Sequence, residues 1–205
     1  MKRVVRFQIL AAILGIAMMS VAGCGKDNGG DDPDDPNVPG GSTAGLFKIK
    51  QATVVYDVLE GMKKNTLYFD DNGKKMRIDE EYETFDLPGT IYILDEVAGK
   101  AYKLNVGSKT YEEVTVASLM NERRTHFFDE TSYTSNKFPS TTEVIAGKSC
   151  KVFTITSSGH TAIYGGWNDI MFLMGLDDGD VYRALSFSET IPANIFTIPS
   201  DYTKK

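Results

Sequence analysis

Few residues in this chain have the types and spacing that catalysis or metal binding requires. The cysteines are Cys24 and Cys150, and the histidines are His126 and His160. No spacing links either histidine to Cys150 or to the other histidine. The sequence also lacks a glycine-rich phosphate loop, a metal-ligand cluster and a nucleophile motif. We therefore expect a protein that is not an enzyme and that holds neither a metal nor a cofactor.

The other polar candidates have structural interpretations. His126 falls in a polar stretch, residues 125–142, that we expect to be a long loop, and His160 falls in a turn. Cys150 follows Ser149 in a strand-like segment, which favours a small buried core residue over a reactive thiol. Three consecutive carboxylates are typical of a solvated strand end and not of a general acid and base pair: Asp79, Glu80 and Glu81.

The N-terminal residues form a secretion signal that ends at Cys24. A basic start is followed by an apolar run from Ile9 to Val21, and small residues precede the cysteine. This pattern is too short for a stable membrane span. Val-Ala-Gly-Cys resembles the lipobox of bacterial lipoproteins, which implies that residues 1–23 are cleaved and that Cys24 carries the lipid. Because the lipid of such a cysteine has more than one acyl chain, the mature chain would be tethered to a membrane.

The residues after the anchor are acidic. Cleavage removes three cations and no acid, so the formal net charge changes from −6 to −9. This charge excludes an electrostatic affinity for nucleic acid or for an anionic lipid surface. Residues 24–43 predict a disordered acidic tether. Lys26-Asp27 loosely resembles the acidic tag that sends some lipoproteins to the outer face of the outer membrane, so we expect a location in the cell envelope, at the outer membrane and exposed there.

Residues 44–205 predict a single domain that is mainly β. Ten Tyr and eleven Phe favour strands. Asn72-Gly73 between two strand-like runs is a strong hairpin signal, and similar pairs recur along the chain. About ten short strands in this order predict a curled antiparallel sheet, or half-barrel, with one or two short helices on its concave face.

One segment departs from the strand period. Trp167, Ile170, Met171 and Met174 are spaced at i, i+3, i+4 and i+7, which predicts a helix. Flexible Met and aromatic side chains would suit a lid over an acyl chain, and we take these four as candidate ligand-binding residues. The same helix could instead fill the concave face as ordinary core.

The order of hairpins resembles a known family. Tyr-Phe-Asp followed by Gly-Lys-Lys-Met-Arg, and Ile-Tyr-Ile-Leu-Asp followed by Gly-Lys-Ala-Tyr-Lys-Leu, resemble the half-barrel domains of the Lol-pathway lipoprotein carrier and receptor. The segments 146–150 and 195–202 are similar to those of related envelope lipoproteins of undefined function. The resemblance implies a half-barrel with a helical lid and, by analogy, a lipid or other apolar ligand.

Two functions remain open from the sequence. The first is an envelope lipoprotein that binds a lipid or acyl chain in its half-barrel without catalysis. The second is a surface interaction module, for glycan or protein, whose core is filled. The direction of the aromatic side chains separates them, because a carrier points them inward around a cavity and a glycan binder points them outward. In both cases the membrane is a partner through the anchor at Cys24, and any protein partners are unknown.

Overall fold

A computed structural model describes residues 45–177 and 179–205. They belong to one compact unit, Thr43–Lys205. The signal segment, Cys24 and the whole of the acidic tether, residues 24–43, lie outside the described residues. Within the described ranges, no helix is both long enough and apolar enough to cross a membrane.

Twelve strands and two short α-helices make up the unit. The strands are β1 (Ala52–Val58), β2 (Lys63–Asp70), β3 (Lys75–Tyr82), β4 (Thr90–Asp95), β5 (Lys100–Asn105), β6 (Thr110–Val114), β7 (Ser140–Ile145), β8 (Lys148–Ser157), β9 (His160–Trp167), β10 (Ile170–Leu176), β11 (Gly179–Ser188) and β12 (Thr203–Lys204). The helices are α1 (Met120–Thr125) and α2 (Glu130–Ser135), and 3₁₀ turns cover Asp71–Gly73 and Val116–Leu119.

All twelve strands form one sheet in the order β12-β6-β5-β4-β3-β2-β1-β11-β10-β9-β8-β7. Two consecutive meanders, β1–β6 and β7–β11, are joined where β1 pairs with β11. All pairs are antiparallel except β12 with β6, which is parallel. The expected mainly-β fold with a curled, open antiparallel sheet is confirmed, and so is the hairpin at Asn72-Gly73, where both residues have positive φ.

The sheet curls around one main core. Buried side chains from strands that lie far apart in the sheet, such as Ala101 of β5 and Ile145 of β7, belong to the same apolar cluster. We call the face that carries this cluster the inner face. Alternate residues of the strands point to it, as in β1, where Ala52, Val54 and Tyr56 are all fully buried.

Two smaller clusters cover the outer face. Near β4–β6, Ile93 and Leu104 pack against Tyr202 of the C-terminal segment. Near β8–β10, Phe153 packs against Phe128 and the ring of Tyr133 from α2; we call this second cluster, which includes Met171, the outer cluster. Thus α1 lies on the inner face, whereas α2 lies on the outer face.

The predicted helix over Trp167–Met174 is wrong. These residues form the end of β9 and most of β10, joined by Asn168 and Asp169, which both have positive φ (51° and 64°). Such a two-residue turn matches the twist of a tight hairpin. The apolar run mimicked a helix because β10 is buried on both faces, with Phe172 in the inner core and Met171 in the outer cluster.

The predicted long loop over residues 125–142 is also wrong. It contains α2, whose first turn is capped by the side chain of Asp129, which accepts a hydrogen bond from the Ser132 N–H at 2.9 Å. The same stretch includes the start of β7. Polar composition hid these elements because α2 buries only one side against the sheet.

A substitution at Gly166 tests the packing of the outer cluster. A Cβ at this position would overlap the ring of Phe128 and would approach the carbonyl oxygen of Ile170 to 2.6 Å. We expect Gly166→Ala to lower the free energy of unfolding by about 1–3 kcal/mol, measured by urea denaturation. Gly175→Ala is the matched control, because its Cβ would have no neighbour closer than 3.4 Å. Equal losses in the two variants would contradict this packing.

Candidate functional site

The structure divides the four predicted ligand-binding residues between two faces of the sheet. Ile170 is fully buried in the inner core, and Trp167 packs against that core. Met171 and Met174 instead belong to the outer cluster around Phe128. The four side chains therefore do not line one common cavity.

The inner face under α1 has little free space. Its cavity has a volume of about 10 Å³, which is roughly what one water molecule requires. The lining is mostly apolar and comes from β3, β4, the 3₁₀ turn Val116–Leu119 and α1: Met76, Ile78, Tyr92, Leu94, Leu119, Glu122 and Arg123. The Arg123 guanidinium also donates to the Glu96 carboxylate, at 3.0 Å, and so ties α1 to the turn after β4.

A second feature of the inner face is a buried polar cluster, formed by the buried Tyr56, Asn65 and His126 together with the partly buried Tyr182. The Tyr56 hydroxyl donates to the Met171 carbonyl oxygen at 2.9 Å, and the Asn65 amide donates to the Tyr182 hydroxyl at 3.3 Å. The His126 ring lies 5.1 Å from the Tyr56 ring and 5.9 Å from the Tyr182 ring, between centroids. The cluster is the most polar part of an otherwise apolar core.

The sheet register brings these residues together. Tyr56 and Asn65 are directly opposite each other in β1 and β2, and Tyr182 of β11 is opposite Val58 of β1. His126 follows α1, and its carbonyl oxygen accepts a hydrogen bond from the Met171 N–H at 2.9 Å. The cluster thus forms where the two meanders meet.

Several buried polar atoms have no hydrogen-bond partner here. They are Asn65 Oδ1 and His126 Nδ1 in the buried polar cluster, and Glu122 Oε2 and Arg123 Nε beside the cavity. Buried polar atoms in native proteins are nearly always satisfied, often by an ordered water. Glu122 and Arg123 also help to line the cavity under α1, whose volume is about that of one water.

Burial keeps the titratable groups of the buried polar cluster uncharged at neutral pH. Burial, with a smaller contribution from Lys63, lowers the pKa of His126 from 6.5 to about 3. Burial likewise raises the pKa values of Tyr56 and Tyr182. A general base works best with a pKa near the working pH, so His126 is poorly suited to accept a proton in catalysis.

A comparison with protein families identifies the family of this chain. Residues 49–190 match the family described as "Domain of unknown function (DUF4412)". The chain belongs to this family. The match spans most of the sheet, from the residues just before β1 to the end of β11. No curated protein matches the chain.

Among solved structures, the chain is similar to two crystal forms of PNGF-II. The TM-scores are 0.45 and 0.41 at 12% sequence identity, with 77% of this chain covered in both cases. The chain spans 31% of the length of those structures. Similarity at this level carries no conclusion about function.

The remaining candidates from the sequence do not form a reactive centre. Cys150 is fully buried, as expected, and burial raises its pKa to about 11, so it is a thiol at neutral pH. Within residues 45–177 and 179–205, no group of three or more His, Cys, Asp or Glu side chains could hold a metal ion. His160 Nδ1 lies 3.2 Å from Asp177 Oδ2 on the surface, across two neighbouring hairpin turns.

The buried polar cluster was not predicted from the sequence. Its four members are far apart in the chain, and His126 was assigned to a polar loop although it is 2% exposed. The available signal was the pair Phe127-Phe128 directly after it. An apolar pair in a polar stretch indicates that the segment returns to the core.

The low pKa of His126 predicts a pH dependence of stability. Between pH 6.5 and about 3 the unfolded chain binds a proton at this residue and the folded chain does not. The free energy of unfolding should therefore fall as the pH falls through this range, by at most about 1.4 kcal/mol per pH unit from this group. Urea denaturation at several pH values between 7 and 4 measures this decrease in the free energy of unfolding.

The two histidines provide a matched control for this prediction. His126→Phe keeps an aromatic ring between Tyr56 and Tyr182 and should reduce the slope of stability against pH. His160→Asn, at a half-exposed position, should leave the slope in place. A slope that is the same in wild type and His126→Phe would show that His126 does not titrate as described.

Proposed function

We propose that this protein is a membrane-tethered binding module of the cell envelope that acts through its surface and catalyses no reaction. The observation that supports this proposal is the filled inner face. Pockets for small apolar ligands commonly have volumes of about 300–1,000 Å³. The cavity under α1 has about 10 Å³. In this conformation it could not hold an acyl chain.

The tether in this proposal rests on the residue pattern at Cys24. The described chain starts at Gly45, next to the turn between β2 and β3, where the Phe47 N–H donates to the Asn72 carbonyl oxygen at 2.9 Å. The chain that leads from Cys24 would therefore enter the domain at this end of the sheet. Residues between the two would act as a spacer.

A second candidate is a carrier of an apolar ligand. The mainly apolar lining under α1, with Met76, Ile78 and Leu94 from the sheet and Leu119 from above, favours it. An acyl chain could bind there only if α1 moved away, because the space is otherwise filled. The Arg123–Glu96 ion pair opposes that movement.

Native mass spectrometry separates the two candidates. The chain from Ser42 onward, which keeps the compact unit, should show a bare polypeptide mass and should gain no mass when palmitate is added. Arg123→Gln provides a sharper test, because it removes the ion pair that holds α1. A carrier should then take up more palmitate, whereas a surface module should take up none. A bound mass that extracts into organic solvent would overturn the proposal in favour of a carrier.

The anchor has its own test. Cys24→Ala should move the full-length protein from the membrane fraction to the soluble envelope fraction, because the lipid is attached to the thiol. Cys150→Ala is the control and should stay in the membrane fraction, since this thiol is buried in the domain. Retention of Cys24→Ala in the membrane would show that the tether is not a lipid at this residue.

A further inference from the structure

The end of β3 and the loop that follows it expose a group of large apolar side chains. Tyr82, Phe85 and Leu87 lie within six residues and are 38%, 48% and 55% exposed. We call residues 81–88, all of which are exposed, the tip loop. Exposed apolar side chains that are grouped in one loop mark interaction sites more often than isolated ones do.

The tip loop is held in a defined position. The Thr84 hydroxyl donates to the Gly61 carbonyl oxygen at 3.0 Å, and the Glu83 N–H donates to the Met62 carbonyl oxygen at 3.2 Å. At its other end Pro88 packs closely on Gly107, where an added Cβ would lie 2.7 Å from the proline ring. Because the scaffold fixes the loop, a partner would not need to order it, which lowers the cost of binding.

The charge of the tip loop indicates what it would bind. Its sequence, Glu-Tyr-Glu-Thr-Phe-Asp-Leu-Pro, contains three carboxylates and no lysine or arginine. On the neighbouring strand, Lys63 is paired with Glu80 and Lys64 lies opposite Glu81. The carboxylates therefore remain in excess and would repel anionic lipids and nucleic acids. Acidic side chains interleaved with apolar ones complement a segment in which lysine or arginine alternates with apolar side chains.

The position of the tip loop also suits docking. The described chain begins beside Asn72, at the end of β2, whereas the tip loop contacts Met62, just before the start of β2. The eight residues of β2 span about 25 Å. The tip loop therefore lies at the end of the sheet opposite the one where the tether joins.

We propose that the tip loop is the docking site for a basic segment of a protein partner that carries apolar side chains. This inference rests on the proposed function and specifies the surface and the chemistry of its partner. Phe85 and Leu87 supply the apolar contacts, and the carboxylates of Glu83 and Asp86 face the partner's cations.

The test uses the full-length lipidated protein in nanodiscs of zwitterionic lipid and two synthetic peptide probes. The first probe alternates lysine with leucine and phenylalanine, and the second replaces every lysine by glutamate. Fluorescence anisotropy should show binding of the basic probe that weakens with added salt, and no binding of the acidic probe. Failure of the basic probe to bind would overturn the proposal.

Variants of the tip loop show where the basic probe binds. Phe85→Ser with Leu87→Ser, and separately Glu83→Lys with Asp86→Lys, should each weaken binding by about tenfold or more. The controls are Val97→Ser, an apolar side chain 70% exposed in another turn, and Glu112→Lys, an exposed acid on β6. Both should bind within about twofold of wild type. Equal effects in tip and control variants would overturn the proposal.

Other occupants of the tip loop give distinct results. Self-association that the double serine variant abolishes would assign the tip loop to a second copy of the chain, and binding to protein-free vesicles that the same variant abolishes would assign it to a membrane. Either result would overturn the proposal. Palmitate uptake on the same samples reports on the proposed function separately, so its failure is distinguishable from failure of the docking site.

Discussion

The pairing of β1 with β11 is the interaction on which the rest of the structure depends. It joins residues that are more than 120 positions apart and turns two local meanders into one sheet. Only then can side chains from both meanders share one core on the inner face. The same junction places Tyr56, Asn65 and Tyr182 side by side and receives His126 from the connection between the meanders. Long-range pairing of this kind costs loop-closure entropy, which burial of the common core must offset.

The filled inner face then limits what the domain can do. A curled open sheet must cover its concave face with its own side chains, with a helix or with a ligand. Here large buried side chains such as Phe69 and Phe172 fill the face, and the cavity beneath α1 has space for about one water. The buried polar cluster is likewise neutral and enclosed. Because the inside of the sheet is filled, the surfaces that a partner could reach are its ends and loops.

The two ends of the sheet present different features. One end receives the chain beside Asn72, and the other presents the tip loop with Phe85 and Leu87 exposed. The carboxylates beside these exposed apolar side chains favour their hydration and repel anionic surfaces.

The sequence by itself determined the strand-rich class, the hairpin at Asn72-Gly73 and the burial of Cys150, because these depend on local turn chemistry and on period-two patterns. It also carries the pattern at Cys24, which lies outside the described residues. Only the tertiary structure decided that Trp167–Met174 is a hairpin, because a strand buried on both faces has no period to read. It also decided that His126 is buried, since that depends on where the connection between the meanders crosses the sheet. Local patterns do not encode such long-range contacts.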